Sequence, residues 1–363
     1  MQNKTTTRSV IRSDIMAMHA YVVQDSKGYV KLDAMENPYT LSAPLQAELG
    51  KRLAAIEVNR YPGQRIHDLQ NALAHYCNLP ENYSLILGNG SDELISLLAI
   101  AIDQPGASIM APLPGFVMYE MSAKIQGVEF IGIELDADFE LDVDTMLQAI
   151  HTHQPALVYL AYPNNPTANL WSDEAMHSII QACEMVGSLV VIDEAYQPFA
   201  SKSFIQEMTQ YQNVLLLRTL SKFGLAGVRL GYLVGPSHIV NQIDKIRPPY
   251  NISVLNAEAA LFALEHQAEF QQQAQLICQE RDLLLSQLEA LDQLKVYPSQ
   301  ANMILLRLKL PLLAAEVFQG MKDKGVLIKN VSSLHTSLNN CLRITVGTAQ
   351  ENQQMMKALK ACL

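Results

Sequence analysis

The stretch Ser188-Leu189-Val190-Val191-Ile192-Asp193-Glu194-Ala195-Tyr196 runs apolar without alternation and then stops on an acid. Unbroken hydrophobicity is what a strand needs when both faces of its sheet are covered; an alternating run marks a sheet with one wet face. Outward from this stretch the same texture returns at Leu85-Ile86-Leu87, Ser108-Ile109-Met110, Val128 to Ile133, Ala156 to Tyr162, Asn213 to Thr219 and Leu230 to Val234. Each run is followed by a helix-like stretch. The pattern predicts an α/β domain between roughly residues 60 and 250, with a mainly parallel seven-stranded central sheet and helices on both faces.

After Arg247-Pro-Pro-Tyr-Asn251 the texture changes. Residues 256–291, dense in Ala, Leu, Gln and Glu, predict one long helix. Strand-like pieces at Asn302 to Leu308 and Cys341 to Val346, around a helix near 314–324, predict a smaller α+β domain. The expected division is an N-terminal arm over 1–40, a large domain over 41–255 and a small C-terminal domain over 256–363, with part of the arm packed on the small domain.

Composition narrows the function classes. Of 363 residues 49% are hydrophobic and 17% charged, which suits a chain with a real core. Lys and Arg number 26 against 36 Asp and Glu, a net charge of −10, and no basic tract is present to hold a polyanion. The longest apolar stretch, Leu94 to Ile102, carries Ser96 and stops at Asp103, too short for a bilayer. The opening MQNKTTTRSV has no apolar signal segment, and the five cysteines form no CxxC pair. A reducing cytoplasm is the expected location. His151 and His153 have no third ligand near them in sequence, so a solvated helix end is expected there and no metal.

Four segments carry candidate chemistry. Gly88-Asn89-Gly90-Ser91-Asp92-Glu93 follows a strand and opens an apolar helix, where free N–H groups favour an anion. It lacks the Gly-Lys-Ser/Thr of a P-loop, and alone it reads more readily as a turn with Ser91 as helix cap. Tyr162-Pro163-Asn164-Asn165-Pro166-Thr167 places an amide just past a strand, at the end of a parallel sheet where ligands gather. Asp193, at the tip of a buried strand, needs a cation or several donors, which a protonated ring nitrogen supplies. Thr219-Leu220-Ser221-Lys222 enters the apolar, glycine-containing Phe223 to Gly227. Desolvation there lowers the pKa of Lys222, and a neutral amine is what Schiff-base chemistry requires. Arg229 adds a planar fork for a phosphate. Each segment follows a strand, so all four can meet along one sheet edge. Together they are the parts needed to hold pyridoxal phosphate.

On these segments the chain resembles a fold-type I pyridoxal-phosphate aminotransferase over essentially its whole length. Within that superfamily it is most similar to the histidinol-phosphate aminotransferases, through Leu32-Asp-Ala-Met-Glu-Asn-Pro38, Asn59-Arg60-Tyr61-Pro62, GNGSDE, Pro114-Gly-Phe116-Val-Met-Tyr119, YPNNPT, DEAY, RTLSK, GLAGVRLGY and Cys341-Leu-Arg343-Ile-Thr-Val-Gly347-Thr. The resemblance implies that Lys222 bonds the cofactor and moves the proton, that Asp193 pairs with its ring nitrogen, and that Tyr196 and Asn165 bond its phenolic oxygen. It further implies Phe116 against the ring face and Ser91, Asp92, Thr219, Ser221 and Arg229 around the phosphate. Tyr61 would reach that phosphate from a second subunit of a homodimer. Arg343, Tyr21, Asn37 and Lys329 are the implied substrate residues. The implied reaction converts L-histidinol phosphate and 2-oxoglutarate to imidazole-acetol phosphate and L-glutamate by ping-pong chemistry in histidine biosynthesis. An aromatic aminotransferase or a threonine-phosphate decarboxylase would keep the same cofactor set; a non-catalytic ligand-sensing domain would not need Lys222 with all its helpers. One departure is Ala168, where the family usually has glycine, so the turn there must tolerate a Cβ.

Overall fold

The structure is a computed structural model and describes residues 10–18, 20 and 24–363. Its strands are β1 (Val30–Lys31), β2 (Tyr83–Gly88), β3 (Ser108–Leu113), β4 (Glu129–Glu134), β5 (Leu157–Ala161), β6 (Leu189–Asp193), β7 (Val214–Thr219) and β8 (Gly231–Pro236). They are followed by β9 (Leu294–Val296), β10 (Met303–Leu308), β11 (Val326–Leu327), β12 (Lys329–Asn330) and β13 (Cys341–Thr345). The seven apolar runs become β2 to β8, which form one sheet in the order β2-β8-β7-β6-β5-β3-β4. Only β8 runs against its neighbours β2 and β7; the other pairings are parallel.

Continuous apolarity has the expected cause. Along β6, Val190 and Ile192 enter the core on one face of the sheet and Val191 the core on the other. β5 and β7 divide in the same way, Val158 and Leu160 against Leu157 and Tyr159, and Val214 and Leu216 against Leu215 and Leu217. All are 0% exposed. Helices 91–101, 118–126 and 237–243 cover one face, and helices 64–76, 143–153, 173–186 and 254–265 the other. Burying each such aliphatic side chain contributes about 1.5–3 kcal/mol, so the strand interiors leave no room for chemistry. Polar groups come at the strand ends. There the turns are locally specified: Ser172 caps helix Asp173–Val186 through the Ala175 N–H, and Gly187 at φ 78° ends it just before β6.

A second, antiparallel sheet, β12-β13-β10-β9, carries the C-terminal region, and β1 of the N-terminal segment docks parallel to β11. The single helix expected over 256–291 is two, Val254–Glu265 and Gln267–Glu289, broken at His266 (φ −105°, ψ 27°). The first is buried on all sides from Ala257 to Leu264 and packs on helices Gln64–Tyr76 and Ala43–Ala54. The second buries fewer positions and leaves its glutamines mostly outward. Residues 256–265 therefore sit within the large core, on the other side of the boundary drawn at 255. Ala168 adopts φ 65° while fully buried, so the turn after Pro166-Thr167 does hold a Cβ in the left-handed region.

Candidate active site

Asp193 is the last residue of β6, Lys222 lies three residues past β7, Asn165 four past β5, and Ser91 opens the helix that follows β2. These ends share one edge of the sheet. They meet in a cavity lined by Ser91, Asp92, Phe116, Asn165, Asp193, Tyr196, Thr219, Ser221, Lys222 and Arg229, with Met35, Tyr119 and Ala195 beside them.

The acid is buried and doubly held. Oδ2 of Asp193 accepts the Tyr119 hydroxyl at 2.7 Å, and Oδ1 accepts the Ala195 N–H at 2.9 Å. Burial pushes its pKa up to about 6, while the two donors pull it back. Its neighbour Glu194, also buried, takes both Nε and Nη2 of Arg218 at 2.9 and 2.8 Å. That second carboxylate is matched by a cation, although its charge still adds to the rise in the Asp193 pKa.

The amine stands across the cavity. Lys222 lies in the tight turn Ser221–Leu225, donates from Nζ to the Ala34 carbonyl at 3.2 Å, and sits 5.6 Å from the Tyr196 ring centroid. Burial first, and the Arg343 charge second, lower its pKa to about 8.

Asn165 links the two walls. Its Nδ2 donates to the Tyr196 oxygen at 3.1 Å, and its Oδ1 accepts Nη1 of Arg343 at 2.8 Å. Arg343, in β13, also donates to the Asp33 carbonyl at 3.0 Å. Asn164 turns the other way and ties the Pro114 carbonyl and Thr167 hydroxyl together. Antiparallel pairing sets Lys329 of β12 opposite Arg343.

At the far end the backbone is crowded for a reason. A Cβ on Gly90 (φ 78°) would meet Arg229 Nη2 at 2.6 Å, and one on Gly231 would meet the Ser91 amide nitrogen at 2.6 Å. Only glycine lets the helix start, the Thr219 and Ser221 hydroxyls and the Arg229 guanidinium converge. Ser221 Oγ accepts from Thr219 Oγ1 at 2.9 Å and from Arg229 Nη1 at 3.4 Å; Arg229 Nη2 reaches Asp92 at 3.1 Å. This donor set fits a phosphate.

Of the expected residues, Arg343 and Lys329 are not among those lining the cavity, Arg343 touching the lining through Asn165, and three more stand apart. Tyr61 is 75% exposed and stacks on the exposed Tyr250 with centroids 4.2 Å apart. Asn37 does not line the cavity: its Nδ2 donates to Gln273 at 2.8 Å and its Oδ1 accepts the Tyr39 N–H at 2.9 Å, which leaves its amide engaged with helix Gln267–Glu289. Tyr21 lies outside the described residues. Conversely, Tyr119 and Met35 line the cavity without having been assigned a role from sequence. Both stand within segments that carry the resemblance, Tyr119 three residues past Phe116 and Met35 inside Leu32 to Pro38, and that was the available signal.

An amine made easy to deprotonate, facing a buried acid with an anion cradle between two sheet ends, answers to the needs of a fold-type I pyridoxal-phosphate enzyme. The model of the aminotransferases of class I and II matches residues 27–359, and the chain belongs to that family. A histidinol-phosphate aminotransferase of Methylibium petroleiphilum is 60% identical over 97% of this chain and 94% of its own length. A crystal structure of a putative histidinol-phosphate aminotransferase from Erwinia carotovora atroseptica superposes with a TM-score of 0.83 at 27% identity, covering 94% of this chain and 98% of that one. The Sinorhizobium meliloti histidinol-phosphate aminotransferase, solved in complex with pyridoxal-5'-phosphate, shares the fold with a TM-score of 0.83 at 24% identity and 98% coverage of both chains. Among the described residues no helix is long and apolar enough to cross a membrane.

Proposed function

We propose that this chain transfers an amino group between L-histidinol phosphate and 2-oxoglutarate, as a step of histidine biosynthesis in the cytoplasm. The observation that carries the reading is buried Asp193 and half-buried Lys222 lining one cavity, with Arg343 just beyond the lining and joined to it through Asn165. The 60% identity to a protein named for this activity supports the choice of substrate.

Bound pyridoxal phosphate supplies an electron sink for the pair left when the substrate Cα–H bond breaks. Asp193 holds the proton on the ring nitrogen, its charge kept in place by two donors. Lys222 Nζ, with its pKa at about 8, takes and returns the proton at neutral pH without a large mismatch. Tyr196 and Asn165, bonded to each other, would hold the ring oxygen, and Phe116, in the cavity lining, would face the ring. Ser91, Asp92, Thr219, Ser221 and Arg229 anchor the phosphate. Arg343 presents a planar fork that receives a carboxylate or a phosphate, so one group serves both half-reactions. Lys329, opposite it in register, adds positive charge for the phosphorylated substrate. The exposed Tyr61–Tyr250 pair gives a second copy an aromatic surface to cover, and in a homodimer Tyr61 would serve the cavity of the other copy.

The test is a set of single half-reactions of the cofactor-loaded protein with L-histidinol phosphate, glutamate, phenylalanine, tyrosine and threonine phosphate. L-histidinol phosphate and glutamate should react fastest. Tenfold faster reaction with an aromatic amino acid, or release of carbon dioxide from threonine phosphate, would replace this reading with one of its two relatives.

A further inference from the structure

Tyr119 is the second residue of helix Met118–Gln126, at the end that faces the cavity, and is 2% exposed. Its ring has no rotational latitude. One face lies flat on Tyr159 of β5, with centroids 4.2 Å apart and planes 6° from parallel, and Phe116 meets it edge-on at 5.6 Å and 86°. So clamped, the phenol oxygen points at Oδ2 of Asp193 at 2.7 Å, the length of a charge-assisted hydrogen bond. Because the Ala195 N–H takes Oδ1, each carboxylate oxygen has its own donor and the plane of the group is fixed from both sides.

We propose that Tyr119 is a positioning residue for Asp193, fixing its carboxylate at the cavity floor and keeping it ionised so that it can receive the cofactor's ring nitrogen. This rests on the functional reading above and adds to it a residue 74 positions away from the acid that it serves.

The surroundings of Asp193 leave that task to Tyr119. Asp92 from helix Ser91–Ala101 and the adjacent Glu194 both raise its pKa, Tyr159 and Tyr196 lie near it without donating to it, and the cations of the same cavity donate elsewhere, Lys222 to the Ala34 carbonyl and Arg229 to Ser221 and Asp92. Glu194 is already neutralised by Arg218. A buried carboxylate among acids and phenols loses its charge unless hydrogen bonds hold it. Tyr119 itself keeps its proton at every working pH, since burial, and then the Asp193 charge, raise its pKa well above the ordinary value of 10. It is therefore always the donor.

Tyr159 provides the control. Its hydroxyl is buried beside the same acid with no hydrogen-bond partner among the described residues. Tyr119→Phe and Tyr159→Phe each remove one buried oxygen and keep the stacked rings, but only the first removes a bond to Asp193.

The experiment follows uptake of pyridoxal phosphate by the apo-protein across pH, by visible absorbance and by equilibrium dialysis, for wild type and both variants. In Tyr119→Phe the acid limb of uptake should move up by about one pH unit, because the charged acid has lost a donor, and affinity near neutral pH should fall up to ~10-fold. Tyr159→Phe should follow wild type. A Tyr119→Phe curve superimposed on wild type overturns the proposal, as does an equal shift in both variants, which would reduce Tyr119 to packing. Wild-type protein that takes up no pyridoxal phosphate at any pH overturns the functional reading as well, whereas normal wild-type uptake with an unmoved variant removes this inference alone.

Discussion

Asp193 and Lys222 stand at or just past the ends of interior strands whose residues are almost all buried between two helix layers, whereas Arg343 comes from β13, an inner strand of a different sheet, and is met by the carbonyl of Asp33 on the N-terminal segment. The inner end of the cavity thus draws on one rigid body. Around Arg343, just beyond that cavity's lining, three chain regions far apart in sequence meet: 33–35, 165 and 329–343. Chemistry that must not vary is placed at the end of one sheet, and recognition of the substrate is left to the junction of that sheet with a second one, where Arg343 is itself set between core residues Leu342 and Ile344.

This contrast orders the expected effects. Lys222→Ala should lower turnover by on the order of 10³-fold or more, with non-covalent cofactor binding partly retained, since the amine acts in every proton transfer; steady-state kinetics showing less than a tenfold loss would remove Lys222 from the chemistry. The same side chain burdens the empty protein. Its pKa falls from 10.5 to about 8 on folding, so below pH 8 the folded state carries a proton in a poor setting. That penalty shrinks as pH rises through 8 and is gone above 10.5. Lys222→Met should accordingly stabilise the apo-protein by roughly 2–4 kcal/mol at pH 7, with the gain fading toward pH 10, as read from denaturant melts at each pH. A gain that did not depend on pH would point to packing instead of charge.

At the outer wall, Arg343→Ala should cost about 10²-fold in kcat/KM for both L-histidinol phosphate and glutamate, in line with the loss of a hydrogen-bonded charge. If glutamate turnover survived unchanged, the two substrates would not share one anion site. The smallest effect belongs to Lys329→Ala. A rise in KM of up to ~10-fold confined to the phosphorylated substrate would match its register opposite Arg343, and equal effects on both substrates would contradict that role.

The sequence was legible in proportion to how local the determinants are. Seven apolar runs, four of them followed by Gly, Asn, Asp or Lys chemistry, marked the large sheet and nearly all of the residues at its functional edge, because a strand buried on both faces has no other way to be written. The break at His266 was hidden, since it contains no Pro or Gly and only the change from all-round apolar Val254–Glu265 to glutamine-rich Gln267–Glu289 marks it. The partner of Asn37 was hidden for a tertiary reason: Gln273, 236 residues on, takes its amide. Tyr119 was quoted as part of a motif yet left without a task, because nothing within its own helix reveals an acid on another strand.

The most direct measurement is borohydride reduction of the cofactor-loaded protein followed by peptide mass analysis. A single phosphopyridoxyl group on the peptide containing Lys222 is the predicted result. A label on another lysine, such as Lys329, or no label on a protein that binds the cofactor, would contradict the placement of the reactive amine opposite Asp193.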